Sequence, residues 1–213
     1  MDMQNILEPK FFSSPRLPIP LDAIYRRMGY RTGKTRLDQK QRDEIERYIE
    51  EALGLIAIQA SALVLPIERA TSERVWLSRE VMLESRDLTK MLTGCKEALL
   101  MGTTAGKEIV EAIAVDSTGD NVTRAVVFDA TASEIVDASL DWIMSYFRQS
   151  LMREMKTPTS RRFSAGYGDF LLENQSSMYS LLMLDRLGIS LTQSHILIPE
   201  KSVTAVAGIR EIE

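Results

Sequence analysis

The chain has 213 residues, a mass of 24.0 kDa and 45% hydrophobic residues, enough for one main domain with a sizeable core. Its net charge of −4 and pI near 5.3 offer no basic surface to a nucleic-acid backbone, so nucleic acid is not an expected partner. The single cysteine, Cys95, excludes an internal disulfide, and the N-terminus lacks the features of a secretion signal. We therefore expect a cytoplasmic protein, and no uncharged apolar run is long enough to predict a membrane span.

The N-terminal part of the chain divides into an arm and a helical segment. Residues 1–20 contain four prolines, which disfavour helices, and this segment is predicted to be an extended arm. Residues 21–213 are expected to form a single domain whose first part, 21–60, is helical. In it, LDAIYRRMGY predicts a short helix, and LDQKQRDEIERYIEEALGLIAIQ a longer one, because apolar residues recur one turn apart.

Strand-like and helical segments follow one another from Ser61. The short β-prone stretches SALVLPIE, RVWLS and CKEALLMGTT predict strands. RDLTKML predicts a helix capped by Ser85, and AGKEIVEAIAVD predicts a helix capped by Thr103 or Thr104.

The C-terminal half is predicted to contain two long helices and a hairpin. One helix runs from about Val122 to Met155, and LENQSSMYSLLMLDRLG forms another that ends at Gly188. ISLTQSHILIP and KSVTAVAGI alternate and are rich in β-branched residues, which predicts a hairpin. Paired strands with helices in blocks predict an α+β fold, with a mainly antiparallel twisted sheet and helices packed around it.

Two glycine- and lysine-containing segments resemble phosphate-binding loops without having the required spacing. GYRTGKT has three residues where that motif has four, and it follows a helix instead of a strand. GTTAGK opens a helix, but Glu108 stands where a magnesium-binding hydroxyl is needed. We interpret the first as a basic turn at a helix end and the second as a tight turn with a helix cap.

Metal and nucleophile chemistry have few candidates in this sequence. His195, the only histidine, lies on a predicted strand, and Cys95 lies at the entry to another; neither has a partner at ligand spacing. No GxSxG serine elbow accompanies the histidine. We therefore predict no metal site and no catalytic residue, with His195 in a structural role.

The stretch RRFSAGYGDF, between two predicted helices, is the best candidate for a binding loop. Arginine offers a planar fork of donors to a carboxylate, and glycine lets the backbone approach a ligand closely. Tyr167 adds an aromatic face with a polar tip. These residues suit an amino-acid-like or nucleoside-like ligand, but Arg161 and Arg162 could equally pair with surface acids in a loop that only ties helices to the sheet.

The order of residues from Arg162 onward resembles a known family. Arg162-Phe-Ser-Ala-Gly-Tyr167, a helix, and then GISLTQSHILIPEKSVTA resemble the activation domain of cobalamin-dependent methionine synthase, whose signature begins Arg-x-x-x-Gly-Tyr. The stretches MGYR and DLTKMLTGCKEALLMGTTAG resemble shorter free-standing relatives of that domain. The resemblance therefore implies a stand-alone homologue.

The resemblance also implies a role in cofactor repair. In this family, cobalamin that has been oxidised to the inactive cob(II) state is reduced and remethylated, with S-adenosylmethionine as methyl donor and an electron from a flavodoxin-like protein. S-adenosylmethionine would be the cofactor of this chain. Cobalamin would be carried by the partner, a methionine synthase or another corrinoid protein.

Five residues are implied to contact S-adenosylmethionine. Arg162 matches the arginine that holds the ligand's carboxylate, and Ala165, Gly166 and Tyr167 match the loop beside it. Asp137 matches a glutamate near the ligand. Asp137 and Asp141 can also be interpreted as an exposed acidic helix face.

Two departures from the family pattern leave two functional hypotheses open. Val206 and Ala207 replace an aromatic pair that packs beside the ligand in the fused enzyme, and residues 168–172 replace its Pro-Ala-Cys-Pro-Asp-His run. The first hypothesis is a reactivation component, part of a methyltransferase system. The alternative is a non-catalytic docking module for a corrinoid protein that has lost methyl-donor binding.

Overall fold

A computed structural model describes residues 8–31, 33–78 and 80–212. Within these ranges the α-helices are α1 (Leu21–Arg27), α2 (Gln39–Leu55), α3 (Arg86–Met91), α4 (Lys107–Thr118), α5 (Val122–Leu151) and α6 (Gln175–Leu181). The strands are β1 (Lys10–Ser13), β2 (Gln59–Ala70), β3 (Arg74–Leu77), β4 (Val81–Glu84), β5 (Glu97–Thr104), β6 (Lys156–Phe163), β7 (Ser190–Leu191), β8 (Leu197–Ile198) and β9 (Ser202–Glu211). None of the helices in the described ranges has the length and hydropathy of a membrane-spanning segment.

The main sheet is antiparallel throughout its described part. Its strand order is β4-β3-β2-β5-β9-β6, and β1 pairs with the start of β2. The central strand β5 is buried from Ala98 to Thr104, as expected of a strand covered on both faces. The predicted α+β class, with a mainly antiparallel sheet and packed helices, is confirmed.

Side chains of the central strands alternate between two cores. On one face, Leu99, Met101 and Ala207 pack against Leu140 and Ile143 of α5, and we call this the α5 face. On the other, which we call the α3 face, strand residues pack against α3, α6 and the chain that follows β6; its members include Leu63, Leu100, Val206, Leu88, Phe170 and Met178. Each fully buried leucine contributes about 1.5–3 kcal/mol to folding, so both cores fix the sheet between the helical layers.

The N-terminal helices form a third core with the first half of α5. Ile45 and Ile49 of α2 and Phe128 of α5 are buried there, as the spacing in α2 predicts. A capping box starts α2: Asp38 Oδ1 accepts from the Gln41 amide at 2.8 Å, and Gln41 Oε1 accepts from the Asp38 amide at 3.1 Å. The arm contains β1, while residues 1–7 lie outside the described residues, so its boundary stays a prediction.

The predicted cap of α3 is confirmed, and the predicted cap of α4 is wrong. Ser85 Oγ accepts from the Leu88 amide at 2.9 Å, which confirms it as the cap of α3. The N-cap of α4 is Gly106, with φ of 86°, and not a threonine. Thr104 Oγ1 instead accepts from the Gly106 amide, and Thr103 Oγ1 donates to the Gln59 carbonyl, because both belong to β5.

Two predicted C-terminal elements are different in the structure. The helix predicted from residue 172 to 188 is broken: α6 ends at Leu181, Met183 has φ of 50°, and a short 3-10 turn precedes Gly188. The predicted hairpin is also wrong. β7 pairs with β8 in a separate small sheet, whereas β9 pairs with β5 and β6, because the continuous buried run 204–209 suits only a central strand.

Three strands lie where the sequence predicts none. β1 falls in the predicted arm, β4 has no predicted counterpart, and β6 falls between the end of a predicted helix and a predicted loop. The long helix ends at Leu151, and Met155, with φ of 54°, turns the chain into β6. β6 carries Pro158, which lacks a backbone donor and is tolerated because β6 is an edge strand.

Candidate functional site

β6 presents its last residues alternately to the two faces of the sheet. Arg162 lies opposite Ala207 of β9 and points to the α5 face, while Phe163 lies opposite Val206 and packs on the α3 face. The first part of the predicted binding loop is therefore a strand, and its pairing with β9 fixes the direction in which Arg162 points.

The Arg162 guanidinium lies between two carboxylates of α5. Arg162 Nη1 donates to Asp141 Oδ1, and Nη2 is 3.4 Å from Asp137 Oδ1. The two acids are four residues apart, so they lie on one side of the helix. The structure thus brings together Arg162 and Asp137, which are 25 residues apart in the chain, and adds Asp141.

Exposure shows which of these groups a ligand could reach. The Arg162 side chain is 24% exposed, whereas those of Asp137 and Asp141 are 50% and 69% exposed. The acids therefore keep solvent-facing oxygens that can accept from an ammonium group or face a sulfonium. A ligand carboxylate would have to share or replace the contacts that Arg162 makes with the acids.

Two further cations, Arg27 and Lys201, form ion pairs with acids of α5. The sequence patterns do not predict these contacts. Arg27 Nε is 2.5 Å from Glu134 Oε1, and Arg27 Nη2 is 3.9 Å from Asp137 Oδ2. Burial by itself lowers the pKa of Arg27, but the hydrogen bond and charge of Glu134, together with the charge of Asp137, raise it overall. Lys201 Nζ lies 2.6 Å from Asp129 Oδ1. These ion pairs connect the acidic side of α5 to α1, to β6 and to the residue before β9.

The turn after β6 is closed by its own backbone hydrogen bonds. The Gly166 amide donates to the Phe170 carbonyl at 2.7 Å, and the Phe170 amide donates to the Tyr167 carbonyl at 3.0 Å. Gly166 has φ of 92°, and a Cβ there would lie 3.0 Å from Leu172 Cδ2. Glycine is required at this position for its backbone conformation.

The predicted contact residues of this turn differ in accessibility. Tyr167 is 68% exposed, so its ring can stack on a ligand. Gly166 is also exposed, whereas Ala165 packs partly against the α3-face core. Whether these residues contact a ligand stays a prediction.

Residues 168–172 attach the turn to α3. Asp169 Oδ1 accepts from Ser85 Oγ at 2.5 Å, and Asp169 Oδ2 accepts from the Arg86 amide at 2.7 Å. The Ser85 hydrogen bond, followed by those of the backbone amides, lowers the pKa of the Asp169 carboxyl. Phe170 is fully buried and stacks on Phe163, with ring centroids 6.0 Å apart. This departure from the family pattern has a structural role here.

Val206 and Ala207 offer no surface to a ligand. Both are fully buried in β9, Val206 in the α3-face core and Ala207 in the α5-face core. A ligand held by Arg162 would therefore lack an aromatic platform from these two positions.

The remaining candidates have local roles. His195 lies in a turn with φ of 59°, not on a strand, and its Nδ1 is 2.8 Å from Ser176 Oγ.

Burial raises the pKa of the Cys95 thiol, which makes it a weaker nucleophile. In GYRTGKT the Arg31 amide donates to Thr35 Oγ1, and position 32 lies outside the described residues. Among the described residues no group of three or more His, Cys, Asp and Glu side chains could hold a metal ion.

Comparison with known proteins identifies the fold. No family model and no curated protein matches this sequence. Among solved structures, the chain is similar to the MetH reactivation domain bound to AdoHcy, with a TM-score of 0.68 and 14% identity. The similarity covers 98% of this chain and 82% of that one. The chain has the fold of the MetH reactivation domain.

The likeness to the reactivation domain extends well beyond the signature around Arg162. It includes the helices α1 and α2, which precede any residue of that signature. At 14% identity it establishes the fold, and ligand binding by this chain must be argued from its own side chains.

Proposed function

We propose that the protein binds S-adenosylmethionine and acts in trans to support reductive remethylation of cobalamin in a methionine synthase, a step that maintains methionine biosynthesis. The observation that carries the proposal is the meeting of Arg162, on the strand that leads into an exposed Gly-Tyr turn, with Asp137 and Asp141. The similar reactivation domain is bound to AdoHcy, the product that S-adenosylmethionine leaves after methyl transfer. A flavodoxin-like protein would donate the electron.

The side chains of the site suit a ligand with both charges of an amino acid. Arg162 would bind the carboxylate through its guanidinium fork. Asp137, which is more exposed, would face the ammonium group and the sulfonium, and Asp141 would yield its contact with Arg162 to the ligand's carboxylate. Tyr167 would pack against the adenosyl part, and Gly166 would let the backbone approach it.

No acid or base of this chain is required for methyl transfer. The partner's cobalamin, once reduced by the electron donor, would supply the nucleophile; the sulfonium would supply the methyl group and leave as S-adenosylhomocysteine. The task of these residues is to hold the methyl donor in line with its acceptor and to exclude water. This agrees with a site composed of binding groups around Arg162, and it makes the protein a methyltransferase component.

Isothermal titration with S-adenosylmethionine tests the proposal. We expect micromolar binding, weakened by about 1.5–3 kcal/mol in Arg162→Ala because a charge-assisted bond to a carboxylate is lost. Arg161→Ala is the matched control, since this neighbouring side chain is exposed and, in the described part of the chain, makes no ion pair with Asp137 or Asp141. A second assay would then measure whether the protein, with S-adenosylmethionine and a reductant, supports remethylation of a corrinoid protein loaded with cob(II)alamin.

Two results would contradict the proposal. One is the absence of both binding heat and thermal protection at millimolar S-adenosylmethionine. The other is equal affinity in the wild type and Arg162→Ala, which would mean that Arg162 serves only to tie β6 to α5.

A docking module without methyl-donor binding is the second candidate. It is favoured by the burial of Val206 and Ala207 and by the existing contacts of Arg162 with α5 acids. In that case a corrinoid protein should bind this chain with the same affinity in the presence and absence of S-adenosylmethionine, and Arg162→Ala should not change it.

A further inference from the structure

A groove lies between α3 and β6 on the α3 face, separate from the contacts of the Arg162 guanidinium. Its volume is about 500 Å³, within the range of small-molecule sites. Arg162 lines it at the strand, but its guanidinium is bound to Asp137 and Asp141 on the other face. The groove can therefore be occupied without disturbing those ion pairs.

Three cations give this groove its charge. Lys90 of α3, Arg161 of β6 and Arg210 of β9 line it and are exposed. Among the described residues, none of the three makes an ion pair with a carboxylate, although Asp87 also lines the groove. Arg27, Arg162 and Lys201, in contrast, are each paired with acids. The groove therefore carries positive charge that no ion pair among the described residues neutralises, in contrast to the cations that contact α5.

The floor of the groove contains apolar surface. Met91 and Phe163 are partly buried against the α3-face core and line the groove. The Phe163 ring is stacked on the buried Phe170, which holds it in place. Ser160 adds an exposed residue with a hydroxyl at the rim. A complementary ligand has an anionic group for the cations and a flat or apolar part for the floor.

We propose that this groove binds a nucleotide-sized ligand that carries phosphate. Arg161 and Arg210 present guanidinium forks that match phosphate oxygens, and Lys90 adds a point charge. The ring of the ligand lies on Met91 and Phe163. S-adenosylmethionine does not fit this description, since it has no phosphate and carries a positive sulfonium. The site is therefore additional to the one proposed around Arg162 and does not depend on it.

Titration with AMP, ADP, inorganic phosphate and pyrophosphate at low ionic strength tests this site. We expect saturable binding, with ADP and AMP tighter than inorganic phosphate because only they use the apolar floor. Arg161→Gln and Arg210→Gln should each weaken ADP binding about tenfold, the effect of losing one charge-assisted contact. Arg148→Gln, an exposed change of equal charge at the end of α5, should leave ADP affinity unchanged.

Other outcomes would overturn the proposal. They are no saturable binding of any probe, an equal loss in Arg148→Gln, or inorganic phosphate binding as tightly as ADP. An acidic peptide that displaces ADP and binds more tightly would assign the groove to a protein partner instead. Arg162→Ala separates this site from the proposed function: it should weaken S-adenosylmethionine binding at least about tenfold, while ADP affinity stays within about twofold because the Arg162 guanidinium contacts α5.

Discussion

Arg161 and Arg162 are consecutive residues of β6, yet they belong to different surfaces. Arg162 faces α5, where Asp137 and Asp141 neutralise it, and Arg161 lines a groove on the α3 face without an ion pair among the described residues. The difference arises because successive residues of a strand point to opposite faces, and in the described part of the chain only the α5 acids form ion pairs with one of these two arginines. One dipeptide thus contributes to a cluster of ion pairs and to an open basic groove.

Phe170, in the turn after β6, is a fully buried aromatic residue of the α3-face core. Phe170→Ala is expected to reduce the free energy of unfolding by about 3–5 kcal/mol, because it removes a fully buried aromatic side chain. Urea unfolding followed by circular dichroism measures this loss.

The matched control for this change lies in the same turn. Tyr167→Ala removes an aromatic side chain that is 68% exposed and should change stability by less than about 0.5 kcal/mol. Similar losses of unfolding free energy in the two variants would mean that Phe170 is not buried and Tyr167 not exposed as the structure shows.

Neighbouring residues of β9 make the same contrast between faces. Ala207 points to the α5-face core, while a Cβ at Gly208 would overlap the Cys95 sulfur and lie 3.1 Å from Leu92 Cδ2. Gly208→Ala should therefore cost about 1–3 kcal/mol of stability through overpacking. Thermal and urea unfolding of purified variants measure the cost.

A double-mutant cycle sharpens this prediction. In a Cys95→Ala background the overlapping sulfur is absent, so Gly208→Ala should cost less than it does in the wild type. Equal costs in the two backgrounds would show that the sulfur is not what excludes a side chain at position 208.

How much of this arrangement the sequence predicts depends on the type of strand. β2 and β5 are predictable because they are apolar. Ser85 is predictable as the N-cap of α3 because a cap depends only on neighbouring residues. β6 was missed because it is an edge strand with Pro158 and two arginines, so it lacks the apolar alternation of a central strand. The pairing of β9 with β6 depends on contacts distant in sequence, which no local pattern encodes.

The candidate site was predicted to a similar, partial extent. Arg162 and Asp137 were brought together by resemblance to a family, and the structure places them in contact. The contribution of Arg27 and Lys201 could not be predicted, since α1 and the start of β9 reach α5 only through the tertiary fold. The hydrogen bond from Arg162 to Asp141 could not be predicted from the sequence motif either, because it depends on which face of the sheet Arg162 points to.

The attachment of the turn to α3 is expected to depend on pH. Ser85→Ala should cost about 1 kcal/mol at neutral pH through loss of the N-cap of α3. The same change removes the hydrogen bond from Ser85 to Asp169. The pKa of Asp169 is lowered in the folded state, so its contribution is present above its unfolded value of about 3.9 and is lost as pH falls through its folded value.

The comparison of stability against pH tests this linkage. The stability difference between the wild type and Ser85→Ala should shrink below about pH 4, and Asp169→Asn should remove that pH dependence. A difference that stays constant down to the acid transition would mean that Asp169 is not coupled to Ser85 in solution.

The smallest expected effect concerns the neutralisation of Arg162 itself. Asp141 is 69% exposed and competes with a ligand carboxylate for the same guanidinium. Asp141→Asn should therefore raise the affinity for S-adenosylmethionine by about 0.2–1 kcal/mol, the value of an exposed ion pair, in a calorimetric titration. Asp129→Asn, which removes a charge paired with Lys201 instead, should leave the affinity unchanged. A lower affinity in Asp141→Asn would mean that its carboxylate contacts the ammonium or sulfonium directly, and that Arg162 orients Asp141 instead of binding the ligand's carboxylate.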